Sequence, residues 1–156
     1  MTLENTLLQS LAKWRFPSGD RRTLTAEHAG WVAAVHADSA DTVGCHVWEV
    51  ALSRPNGPAG AVDLKVRAAR IAGSVTGLLE PLKLLEADEA HGTALLRSEA
   101  PRQTADSLFY YEVLLGADGA ASARRYEAER TGGKRKQIAF TLTHEALAQL
   151  ADDLAV

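Results

Sequence analysis

Cysteine is almost missing from this chain: Cys45 stands alone among 156 residues. One thiol cannot close an internal disulfide, so the fold does not depend on an oxidising compartment and a cytoplasmic setting is expected. Long apolar runs are missing as well. No window approaches the roughly 18 apolar residues of a membrane-spanning helix. The opening Thr2-Leu3-Glu4-Asn5-Thr6 carries an acid where a signal peptide carries bases, so neither a span nor a leader is expected. Charge of one sign is lacking too. The 17 Lys and Arg against 20 Asp and Glu leave a net charge of −3, which gives no general attraction for phosphate backbones or anionic lipid.

Several chemical signatures are also absent. There is no Gly-x-Ser-x-Gly elbow for a serine nucleophile and no Gly-x-Gly-x-x-Gly or phosphate-binding loop. Cysteine pairs and histidines three or four apart, as metal sites on helices use, do not occur. No catalytic residue, metal or cofactor is therefore expected. What remains is 46% apolar and 24% charged residues, the profile of one globular domain over 1–156 that buries about 70% of its unfolded surface.

Leu3, Leu7, Leu8, Leu11 and Trp14 recur at helical spacing behind Thr2 as N-cap, which predicts a helix over 3–14 ended by Pro17 and Gly19. Period-two alternation then predicts strands near 23–28, 31–37 and 44–54, with a turn at Asp38 to Asp41. Alternation in the third strand puts His46, Trp48, Val50 and Leu52 on one face, the favoured core side. After Gly60 the period changes. Leu64, Ala68, Ile71, Val75, Leu78 and Leu79 form a stripe that predicts a helix over 61–79, with Asp63, Arg67, Arg70 and Ser74 off it. The alternative for 62–66 is a short strand.

Five strand-like stretches follow. The fourth is joined to the third by Gly116-Ala-Asp-Gly119, with a glycine at each end able to supply positive φ, and the fifth is Lys136 to Thr143. Thr143 then caps a helix with Leu147, Leu150, Ala151 and Leu154 on one side and His144 in solvent. The expected fold is α+β: a mainly antiparallel twisted sheet of about seven or eight strands with three helices packed on it, in the order α-βββ-α-βββββ-α. That order is broadly similar to the small acidic secretion chaperones, which are dimers with helices on a mixed sheet. The likeness lies in element order alone and transfers no site residue, but it implies a binding or chaperone-like role.

Three constellations carry the functional expectations. In 108–115, Phe109, Tyr111, Val113 and Leu115 share one face and Leu108, Tyr110, Glu112 and Leu114 the other. Apolar residues on both faces fit a central strand covered on both sides, or a strand whose second face meets another chain at Tyr110 and Leu114. The first expectation is thus a non-catalytic interaction or adaptor-like module, a homodimer whose partner is another protein chain. The second is a small-ligand binder or enzyme with a pocket between sheet and helices lined by His46, Trp48 and Tyr111. The third is anion or nucleic-acid binding by a basic hairpin of Arg124, Arg125, Arg130, Lys134, Arg135 and Lys136, in which Glu127 and Glu129 argue against nucleic acid. A hairpin centred between Ala40 and Asp41 would also set His36 opposite His46, beside Cys45.

Overall fold

The computed structural model describes residues 2–57, 63–76, 78 and 80–156. Helix α1 (Leu3–Leu11) buries Leu3, Leu7 and Leu11, and Thr2 caps it by accepting the Asn5 N–H at 3.1 Å. It stops before Trp14 because the Lys13 and Trp14 N–H groups turn back to the Ser10 and Leu11 carbonyls, a tightened last turn that cannot propagate. Strands β1 (Arg22–His28), β2 (Trp31–Ala40) and β3 (Gly44–Ser53) follow as an antiparallel meander. The turn between β2 and β3 falls later than expected. Asp38 lies inside β2, and Asp41 makes the turn by accepting the Val43 and Gly44 N–H groups at 2.8 and 2.9 Å.

Helix α2 (Leu64–Ser74) starts at Asp63, whose carboxylate accepts the Lys65 N–H at 2.8 Å and the Val66 N–H at 3.3 Å. The strand alternative is thereby excluded at residues 64–66. The expected helix positions 61, 62, 77 and 79 lie outside the described residues. Val75 and Leu78 follow the helix and are still buried. The second half supplies β4 (Leu82–Asp88), β5 (Thr93–Ser98), the two-residue β6 (Arg102–Gln103), β7 (Ser107–Leu115), β8 (Ala121–Glu129), β9 (Arg135–Ile138) and β10 (Phe140–Thr143). The fifth expected strand is thus broken in two. Helix α3 (His144–Leu154) ends the fold, capped by Thr143 on the Ala146 N–H at 3.1 Å.

The strands form one sheet with the main path β1-β2-β3-β8-β7-β5-β4, and every described pairing is antiparallel. At its centre the sheet forks. β3 meets β8 only where Val50 to Leu52 face Ala123 to Ala121. Beyond that point β9 runs back along Arg125 to Ala128 of β8, the chain reverses near Ala139, and β10 runs out along Gly44 to Val47 of β3. The fork leaves no room at Gly44, where a Cβ would overlap the Leu142 carbonyl oxygen and sit 3.1 Å from the Thr143 Cα. In the β7–β8 turn, Asp118 (φ 56°) and Gly119 (φ 68°) take the left-handed conformation rather than the two glycines.

All three helices cover one face of the sheet. Leu7, Leu11, Ile71, Leu147, Leu150 and Leu154 pack in one core with Val35, Val47, Val50, Leu96, Val113 and Leu115. Each of these large side chains contributes about 1.5–3 kcal/mol on full burial. Tyr111, Val113 and Leu115 face the helices, while Tyr110, Glu112 and Leu114 face away, as alternation predicts. Two charged or titratable residues are more deeply placed than expected. His144 is buried at 8% exposure, because its N–H closes onto the Val43 carbonyl and draws it under the β2–β3 turn. Arg67 is 6% exposed. Its guanidinium donates to the carbonyls of Gly116 (3.2 Å), Gly119 (2.6 Å), Ala120 (3.0 Å) and Val156 (3.1 Å), which fastens α2 to the β7–β8 turn. No helix among the described residues is long and apolar enough to cross a membrane.

Candidate functional site

The helix-free face of the sheet carries the polar chemistry. Cross-strand register aligns Thr23, His36 and Glu49 on β1, β2 and β3. It likewise aligns Arg124, Glu112, Arg97 and Lys83 on β8, β7, β5 and β4. Glu49 bridges the two groups, accepting from Arg124 Nε with His36 Nε2 at 3.7 Å. The result is one line of charge across the sheet, alternating in sign from Glu49 to Arg97. Its centre is Glu112, 6% exposed, whose Oε2 accepts from Arg97 Nε (2.8 Å) and Nη2 (2.6 Å) and from Arg135 Nη1 (2.8 Å). A carboxylate this buried requires such charge-assisted bonds.

Next to that line the guanidiniums lie on aromatic rings. Arg97 sits 4.7 Å above the Tyr110 centroid, Arg135 4.0 Å above that of Tyr126, and the two tyrosine rings are 6.0 Å apart. The Tyr110 hydroxyl, followed by Glu112, holds the Arg135 pKa above its ordinary value. Tyr110 is therefore covered at 6% exposure. Leu114, on the same face, is 51% exposed and lies opposite Leu95. Of the two residues expected at an interaction surface, one is an exposed apolar contact and the other supports the arginines.

Toward the opposite end of this face, β2 and β3 each carry one extra residue. His36 is opposite Glu49, Ala37 opposite Val47 and Ser39 opposite His46, which leaves Trp48 and Asp38 as insertions. Each insertion flips the facing of its strand. Cys45 and Val47 therefore point inward with Val50 and Leu52, while His46 and Trp48 point away from the helices, against the expectation that Trp48 joins the core. The two insertions are joined. Asp38 Oδ2 accepts from Trp48 Nε1 at 2.9 Å, its Oδ1 lies 2.8 Å from His46 Nδ1, and Arg21 stacks 3.8 Å above the Trp48 ring.

Loss of water raises the Asp38 pKa, but the bonds from Trp48 and His46 hold it below its ordinary value. An ionised carboxylate only accepts, so the His46 proton sits on Nδ1 and Nε2 is left to solvent. Beside it lies an open groove of about 890 Å³ lined by Arg15, Ser39, Asp41, His46, Thr141 and Thr143 among others. The neighbouring Cys45 is buried, and burial, then Asp41, pushes its thiol up to about 11, which makes it a poor nucleophile.

His46, Trp48 and Tyr111 do not line one space between sheet and helices. Tyr111 faces the helices at 8% exposure, edge-on to Phe140 at 5.3 Å, on the opposite side of the sheet from the other two. His36 and His46 are not opposite each other, because the turn falls later; the two insertions, one on each strand, cancel by His36. Among the described residues no group of three or more His, Cys, Asp and Glu is placed to hold a metal. The basic hairpin is largely neutralised. Arg124 pairs with Glu49, Arg125 with Glu80 at 2.9 Å, Arg135 with Glu112 and Lys136 with Glu127 at 3.8 Å, while Arg130 donates to the Thr104 carbonyl at 3.2 Å. Lys134 lines a small hollow of about 240 Å³ that also contains Glu127 and Glu129.

Asp38, Arg97, Glu112 and Arg21 carry the polar architecture of this face and were not singled out from the sequence. A carboxylate at position 112, inside an otherwise apolar strand, was the one available signal. Family models, curated proteins and solved structures contain no match to this chain.

Proposed function

We propose that this chain is a non-catalytic protein-interaction module that works as a homodimer and meets its protein partner with the helix-free face of the sheet. What carries the proposal is Leu114, half exposed opposite Leu95 on the face where Arg97 and Arg135 already lie over the Tyr110 and Tyr126 rings. Tyr, Trp and Arg are the residues enriched at binding hot spots. Arginines immobilised before contact lose less rotamer freedom on binding, which is where much of the cost of an interface lies. A reducing compartment such as the cytoplasm suits a protein whose one thiol is buried and unreactive.

Light scattering over low to high micromolar concentration tests the homodimer, and a clean monomer throughout removes it. Leu114→Arg tests the face: partner binding is lost while the melting temperature stays within about 2 °C, since an exposed substitution changes stability by roughly 0.5 kcal/mol or less. A fold-neutral Leu114→Arg that leaves binding intact removes the face. A second reading, a small polar ligand in the groove beside His46, is favoured by the Asp38-oriented imidazole with its free Nε2. A fragment screen followed by the His46 imidazole resonances tests it, and no shift change across the screen ends it.

A further inference from the structure

β4 ends the main path of the sheet, and β5 is its one neighbour among the described strands. Its outer edge therefore offers backbone donors and acceptors. Leu84 (40% exposed) and Leu85 (44% exposed) lie on this edge, two of the few large apolar side chains left in solvent. Edges of this kind attract another strand unless they are blunted.

An irregularity in β4 decides what fits. Leu84 is opposite Leu96 and Glu86 is opposite Leu95, so Leu85 is an inserted residue. In a regular strand residues 83 and 86 point to opposite faces. Here the insertion brings Lys83, opposite Arg97, and Glu86, opposite Leu95, to the same helix-free face. It brings Leu82, opposite Ser98, and Ala87, opposite Ala94, to the helix side. The facing of side chains along β4 is thereby the same read in either direction from the point between Leu84 and Leu85. Two copies of an antiparallel strand can pair about a two-fold axis only when opposing residues share a face. Without the insertion, an axis at this point would fail.

We propose that a second copy of the chain pairs antiparallel with β4 about an axis between Leu84 and Leu85. This rests on the homodimer reading above and gives it an address. Lys83 then lies opposite Glu86 of the other copy, twice by symmetry, Leu84 lies opposite Leu85, and Leu82 opposite Ala87. The two sheets join into one, and an axis perpendicular to the sheet leaves both Leu114 faces on the same side, as a platform that binds a two-site partner with avidity.

The test uses the full chain, sedimentation velocity and three preparations: wild type, Lys83→Glu and Glu86→Lys. Each single variant replaces two attractions by two repulsions, and a weakening of dimerisation by about tenfold or more is expected. Mixing the two variants sets a chain acidic at both positions against a chain basic at both, which restores two attractions between unlike chains, so a heterodimer of near wild-type affinity should form. A wild-type dimer that both single variants leave unchanged, or two weakened variants that fail to pair when mixed, overturns the β4 interface while the homodimer stands. A wild type that stays monomeric to high micromolar concentration overturns the homodimer and this interface with it.

Discussion

Arg67 gives the most direct check on how this fold is held. Its guanidinium is buried, and its four partners are main-chain oxygens. Burial lowers its pKa, the mark of a cation taken from water. Hydrogen bonds to charged groups contribute about 1.5–3 kcal/mol each, so four of them set a generous upper bound. Two effects reduce it. Taking the cation from water costs several kcal/mol, which its removal returns, and carbonyls in a surface turn regain water when the donor leaves.

For Arg67→Met, which keeps most of the volume and no donor, a net loss of about 3 kcal/mol is expected, against a total stability of about 5–15 kcal/mol. At this chain length 1 kcal/mol moves the melting temperature by about 2–4 °C, so the drop should be about 6–12 °C. Arg67→Lys keeps the charge but reaches fewer carbonyls and should fall between the two. Urea unfolding followed by circular dichroism supplies the free energies. Hydrogen exchange at Gly119 and Ala120 shows whether the β7–β8 turn loosens first. An Arg67→Met variant within about 0.5 kcal/mol of wild type, with unchanged exchange in the turn, would refute the lock.

Gly44→Ala forces β10 away from β3 and should cost about 1–3 kcal/mol in urea, whereas Gly73→Ala, with nothing within 4 Å of the added Cβ, should stabilise α2 by about 0.5–1 kcal/mol. If the two substitutions behave alike, the steric account of the fork is wrong. Cys45 in the native protein should resist a disulfide reagent at pH 8 and react at the rate of unfolding, measured as chromophore release in increasing urea; prompt labelling would contradict its burial. Asp38 has a folded pKa below its ordinary value, so its contribution is present above about pH 4 and is lost as pH falls through the lowered value. Asp38→Asn should therefore be less stable than wild type by about 1 kcal/mol at pH 6 and equal to it near pH 2, and a gap that persists in acid would point to a steric cause instead.

The sequence made legible what depends on period and on local caps. Thr2 and Thr143 each sit immediately before the first residue of a helix, and both cap as their chemistry requires. The facing of β7 followed from strict alternation between Phe109 and Leu115, because no residue is inserted there. The facing of β3 did not follow. Trp48 and Asp38 are insertions on neighbouring strands, and a period-two pattern carries no sign of an extra residue until its partner strand is known. Arg67 reads as lying off the apolar stripe yet is buried, because its main-chain partners lie about fifty or more residues away in sequence and give no local signal. The neutralisation of the basic hairpin was hidden in the same way, since Glu49, Glu80 and Glu112 are distant in sequence and reach it only through the fold.

The central fork sets an order of events as the chain emerges from a ribosome. When Glu129 has just been made, the half of β3 from Gly44 to Val47 and the half of β8 from Arg125 to Ala128 both lack the partner that will flank them. Phe140 must then find Val47 across most of the chain, a long loop closure that slows the final step. Nascent chains of this protein should therefore expose two sticky ladder segments until residues 135–143 have been made, and a cell that makes it quickly would gain from a holdase at that moment.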